Sequence, residues 1–188
     1  MPVISKETAM VKVNEEYGPY QRLIAAIDRL SAFGNYVAGL SLLAILVMMS
    51  GEVLSRNILG VSLAFSWEFS AYAMGAAFML ASAGAMRAGA HVRVTAVLEA
   101  VPTPVARLLE FAACIAGGLA CLALAWSLCE MTWLSFQRGS TSSTVMRTPL
   151  VWPQGVAAFG AIVLVLQCLA QFLRLLRGER IAVGVALE

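Results

Sequence analysis

The chain has 188 residues, of which 60% are apolar and only 24 are charged, with a formal net charge of +2. A soluble domain carries about a quarter charged residues and under half apolar ones, so a soluble fold is excluded. With so small a positive excess and no run of five or six like charges, a nucleic-acid-binding surface is excluded too.

Charge is absent from four blocks: Leu30 to Gly51, Phe69 to Met86, Phe111 to Cys129 and Thr148 to Leu173, which together hold 85 residues. An uncharged run of about 20 residues crosses a hydrocarbon core of ~30 Å as a helix, which satisfies its own backbone hydrogen bonds. Strand-like alternation is missing, so a barrel is excluded. The sequence predicts an all-α integral membrane protein, a single membrane domain over residues 1–188, with spans near 30–53, 68–87, 107–133 and 149–174.

Residues 1–29 are expected to form a cytoplasmic lead-in. Leu23, Ile24, Ile27 and Leu30 lie opposite Gln21, Arg22, Asp28 and Arg29, the pattern of a short amphipathic helix on the inner surface or leading into the first span. That first span follows a segment carrying Glu7, Glu15, Glu16 and Asp28 and is too long for the apolar core of a cleaved signal peptide, so it is expected to be retained. Small residues recur on the second span, where Ala73, Ala77, Ala81 and Ala85 form an i, i+4 ridge; Gly34 with Ala38, and Ala113 with Gly117, give shorter versions. Such ridges let helix backbones approach closely in lipid.

Between the second and third spans, Val94, Val97, Leu98 and Val101 predict a second interfacial helix, stopped by Pro102. Thr103 and Pro104 suit the cap and first position of the third helix. From Pro104 to Gln137 that helix would measure about 51 Å and must tilt or project. The third connection, Gly139 to Thr144, is polar and turn-rich, and the fourth helix is expected to begin near Pro153. Residues 175–188 form the tail.

Ten Lys and Arg fall in the amino-terminal segment, the second connection and the tail, against three (Arg56, Arg138, Arg147) on the other face. The positive-inside rule therefore places both termini in the cytoplasm. Trp67, Trp126, Trp133 and Trp152 then gather at the outer ends, as belt anchors or as contacts with another protein. Glu52, Glu68 and Glu130 also fall at outer ends and are expected to be solvated or at headgroup level.

The inventory for chemistry is thin. His91 is the only histidine, so paired axial ligands for a haem are unavailable. Cys114, Cys121, Cys129 and Cys168 show no CxxC spacing and read as buried packing residues. No nucleophile has an activating partner, and no ionisable group marks a substrate path at the midplane. No catalytic, cofactor-binding or metal residue is expected.

Three stretches resemble the small permease subunit of the TRAP (tripartite ATP-independent periplasmic) transporters. They are Arg56 through Trp67 and Glu68; the run Arg87, Ala88, Gly89, Ala90, His91, Val92, Arg93, Val94; and Thr148, Pro149, Trp152, Pro153, Gly155. Where the family often has a second acid beside Glu68, this chain has Trp67 and Phe69, and where it has Asp after His-Val-x-Val this chain has Thr95.

The resemblance implies a bacterial inner-membrane subunit that braces a large permease subunit, in which sodium coupling and the substrate path reside. A periplasmic solute-binding protein would deliver an organic acid. Arg56, Trp67, Glu68, Pro149 and Trp152 become candidates for the outer rim, and Arg87, His91 and Arg93 for the cytoplasmic turn. The competing reading is a four-span anchor for a quinone-linked redox enzyme.

Overall fold

The computed structural model describes residues 19–88 and 102–176. Four helices make up almost all of them: α1, Pro19–Leu54; α2, Ala64–Arg87; α3, Thr103–Arg138; and α4, Val151–Leu176. Each is long and apolar enough to cross a membrane. A single π turn, Ser55–Leu59, ends α1, and Gly60 closes it with a left-handed φ of 68°.

The helices overrun the charge-free blocks. Between Tyr20 and Phe33 there is neither proline nor glycine, so α1 runs unbroken from Pro19 into the span. The lead-in from residue 19 is thus the first turns of α1 rather than a helix lying along the surface. Its apolar stripe is used inside the bundle, where Ile24 and Ile27 pack on Ala170, Leu166 and Leu173 of α4. The second interfacial helix, at Val94 to Val101, lies outside the described residues.

At α3 the cap is Pro102 rather than Thr103: its extended backbone (φ −58°, ψ 146°) places its carbonyl to accept from the amides of Val105 and Ala106 at 2.9 and 3.0 Å. Thr103 is already helical. The resulting 36 residues measure about 54 Å. The fourth helix starts at Val151, so Pro153 occupies its first turn, where a missing N–H leaves no bond unmade.

Among the described residues α1 packs along α2, α2 along α4, and α4 along α3, while α1 meets α4 less extensively and α3 rests on no helix but α4. The α1–α2 register is constant from end to end: Asp28 meets Arg87, Gly34 meets Leu80, Ala38 meets Ala77 and Glu52 meets Leu63. Small residues set the approach. A methyl on Gly34 would sit 3.0 Å from the Leu80 carbonyl oxygen, and one on Gly160 of α4 would sit 2.8 Å from the Met79 backbone of α2. Ala83, fully buried, packs on Val163 and Leu164. Most of α4 faces other helices, whereas α1 and α3 leave most of their apolar surface uncovered.

Candidate functional site

Polar side chains concentrate in three clusters at the ends of the helices, and each cluster joins one element to another. At the Asp28 end, Arg174 of α4 donates to Asp28 Oδ2 at 2.5 Å and Gln167 Nε2 to Oδ1 at 3.2 Å. Arg87 at the end of α2 donates to the Asp28 carbonyl at 3.2 Å, with its Nε 3.8 Å from the carboxylate. The Ser31 hydroxyl bonds the Gln167 Oε1 at 2.9 Å, and Gln167 is fully buried. Three helices are thus tied through one aspartate, whose single charge faces two guanidinium groups. Where the helices bury such groups these partners are worth keeping, because each polar group would otherwise be unsatisfied.

At the opposite end Glu52 is only 2% exposed. It accepts from Arg56 Nη2 at 2.6 Å, Ser62 Oγ at 2.7 Å and the Leu63 amide at 2.5 Å. The carboxylate of α1 thereby satisfies an amide at the start of α2, where the helix dipole also favours a negative charge. One acid fixes the whole α1–α2 connection.

Glu68 makes the third cluster. It is 7% exposed, and its two oxygens accept from the Tyr72 hydroxyl at 2.8 Å and from the hydroxyl of Thr144 in the α3–α4 connection. That connection is a short hairpin. Ser142 donates its amide to Thr148 O at 2.8 Å, Leu150 to Ser140 O at 3.0 Å and Arg147 to Thr144 O at 3.2 Å, with Thr141 bridged to Pro149. Gly139, at φ 60°, lets the chain leave α3.

Glu52 and Glu68 are therefore not solvated carboxylates as their positions suggested. Each is enclosed by donors one turn along its own helix, Arg56 or Tyr72, and by donors from a loop. Glu130, in contrast, is exposed on α3.

The five outer-rim candidates separate into distinct roles. Arg56 belongs to the Glu52 cluster and Glu68 to the hairpin cluster, and no bond joins the two. Trp67, the neighbour of Glu68, points away and is exposed, as is Trp152 at the start of α4; Pro149 lies in the hairpin itself. Of the turn candidates, Arg87 holds Asp28, while His91 and Arg93 lie outside the described residues.

Within the small-residue ridge, Ala77 and Ala81 pack on Ala38 and Val37 of α1, and Ala73 and Ala85 are half-buried. Ala113 and Gly117 are exposed on α3. Cys168 is buried with its Sγ 3.4 Å from Met86 Sδ, whereas Cys129 is exposed rather than buried.

Sequence reasoning passed over Asp28 and Gln167 as a pair, and over Gly160. One signal was available. Gln167 and Gln171 sit one turn apart inside a charge-free block, and amides in a span are usually there to bond another helix. Gln171 Nε2 indeed bonds the Met86 carbonyl of α2 at 3.4 Å.

The fold and its polar groups define a multi-pass membrane subunit whose polar side chains, where partnered, mainly fasten helices and loops to each other. The chain belongs to the family of tripartite ATP-independent periplasmic transporters, DctQ component, whose sequence pattern it matches over residues 45–178. It is a small component of a TRAP transporter, not an enzyme. No curated protein matches the chain.

Proposed function

We propose that this chain is the small permease subunit that braces the large permease subunit of a TRAP transporter in a bacterial inner membrane, with both termini cytoplasmic. The observation that carries the proposal is how unevenly the bundle is covered. Among the described residues α3 spans 36 residues yet rests on α4 alone, and α1 is nearly as bare. Two long apolar flanks around an internally fastened core suit a scaffold lying against another membrane protein.

Sodium coupling, the organic-acid solute and the solute-binding protein enter through the family membership, and the first two belong to partner chains. This chain's share is to stiffen the assembly and to offer its Glu52 end as part of the docking face. Co-purification from native membrane in mild detergent tests the proposal. A many-span partner is expected to accompany the chain, and its deletion is expected to abolish sodium-dependent uptake that requires the binding protein. Uptake unchanged by the deletion would refute it. Reporter fusions at each terminus test the orientation.

A further inference from the structure

We infer that the tip of the α3–α4 hairpin, Val145 to Arg147, is the contact that receives an acidic patch of the solute-binding protein, and that Thr144 and Glu68 are the residues positioning it. The inference rests on the docking reading above and names the part of the chain that carries it.

Four observations converge on the tip. Val145 is 90% exposed, the most exposed large apolar side chain among the described residues, and Met146 beside it is half exposed. An apolar pair at a loop tip has no packing role inside the bundle, and exposed apolar groups ringed by polar ones mark contact sites. Arg147 adopts φ 46°, the only left-handed backbone at a residue other than glycine among those described. Such a conformation persists only where surrounding bonds hold it, and here the hairpin amides and the Thr144 bond to Glu68 do so.

Charge completes the case. Arg138 and Arg147 at the two sides of the hairpin are exposed, and neither has an ion-pair partner among the described residues. Of the nearby acids, Glu52 is taken by Arg56 and Glu68 is turned inward onto hydroxyls, while exposed Glu130 lines a cleft with Arg138 and leaves Arg147 as the uncompensated charge at the tip. The tip is therefore a fixed, cationic surface with an apolar centre. A partner with carboxylates around a small apolar recess complements it, and steering by charge speeds such an encounter. Lipid headgroups would also attract the arginines, but a fluid headgroup layer gains nothing from a backbone locked in one shape. A folded protein does, because a pre-ordered contact loses less entropy on binding.

The test uses the complete transporter complex in nanodiscs and the fluorescently labelled solute-binding protein of the same transporter. Arg147→Glu and Val145→Glu are expected to weaken docking at least tenfold and to flatten its salt dependence, with assembly of the complex unchanged by size exclusion. Thr144→Val is expected to weaken docking several-fold, and Thr144→Ser, which restores the hydroxyl, to recover it. Unaltered docking in the two Glu variants overturns the inference. If that docking still requires this chain, the docking reading survives; if the large subunit binds equally well alone, the docking reading falls with it. Loss of retention on anionic vesicles with docking intact would make the tip a headgroup contact, and would likewise overturn the inference.

Discussion

Replacing Gly160 by Ala should destabilise the bundle although it adds only one methyl group to a helix. That methyl would lie 2.8 Å from both the backbone carbonyl carbon and the Cβ of Met79, and 3.0 Å from the Leu80 amide nitrogen. Ordinary contact for such an atom begins near 3.4 Å, so α4 must retreat from α2 by the difference, 0.6 Å. The obstacles are mostly backbone, and no rotamer change relieves them. A gap of that size forfeits a quarter or more of each dispersion contact along the interface, which includes Ala83, Val163 and Leu164. Overpacking of this kind costs about 2–3 kcal/mol, and the better helix propensity of Ala returns up to about 1. The net loss is about 1–2 kcal/mol, or a fall of roughly 3–6 °C in the thermal midpoint. Gly75→Ala is the control, since nothing lies within 4 Å of its added methyl. Both variants would be melted in the same detergent and followed by circular dichroism. A Gly160→Ala midpoint equal to that of Gly75→Ala would refute the close-contact reasoning.

Four further outcomes follow from the packing and the polar clusters. Ala77→Leu should open the α1–α2 contact at Ala38 and cost about 2 kcal/mol in the same melting assay. Ala113→Leu on exposed α3 should leave the isolated chain unchanged and lower the yield of co-purified large subunit if α3 is the bracing face. Asp28→Asn removes the charge shared by Arg87 and Arg174 and should cost about 1–2 kcal/mol; a double-mutant cycle with Arg174→Gln should show coupling, and additive effects would contradict the pairing. Glu52→Gln should speed hydrogen exchange at Leu63 and the first turn of α2 while leaving the middle of α2 protected, as read by mass spectrometry.

The four spans were legible because lipid leaves so little choice: a run without charge, long enough to cross, must close its hydrogen bonds as a helix. Helix ends were less legible, since a helix continues past the hydrocarbon wherever nothing stops it, and α1 meets no breaker before Glu52. The alanine ridge showed where small residues lie but not what covers them. Ala77 found α1, whereas Gly117 has nothing against it among the described residues. Hardest to read were the buried acids. Glu68 sits at the end of a span, where water is the ordinary partner, and its donor Thr144 is 76 residues away. Asp28 and Arg174, 146 residues apart, each looked like an ordinary charge at a membrane surface. Their pairing depends on the order in which helices pack, which composition and periodicity do not specify.

The helix register has a mechanical consequence. The centre of the charge-free block of α1, near Leu40, lies opposite a point about three residues above the centre of the α2 block, while that of α3, near Ala120, lies some four residues below that of α4. With a step of about two residues between α2 and α4, the centres descend roughly 14 Å from α1 to α3 at ~1.5 Å per residue. Where a bilayer brings the four centres to one depth, that descent over two to three helix spacings of about 8–10 Å corresponds to a lean of roughly 25–40° from the normal. The chain then stands in the membrane as a diagonal strut, displaced sideways between its two surfaces by about the width of two helices, and a strut at that angle resists lateral shear where an upright post would not.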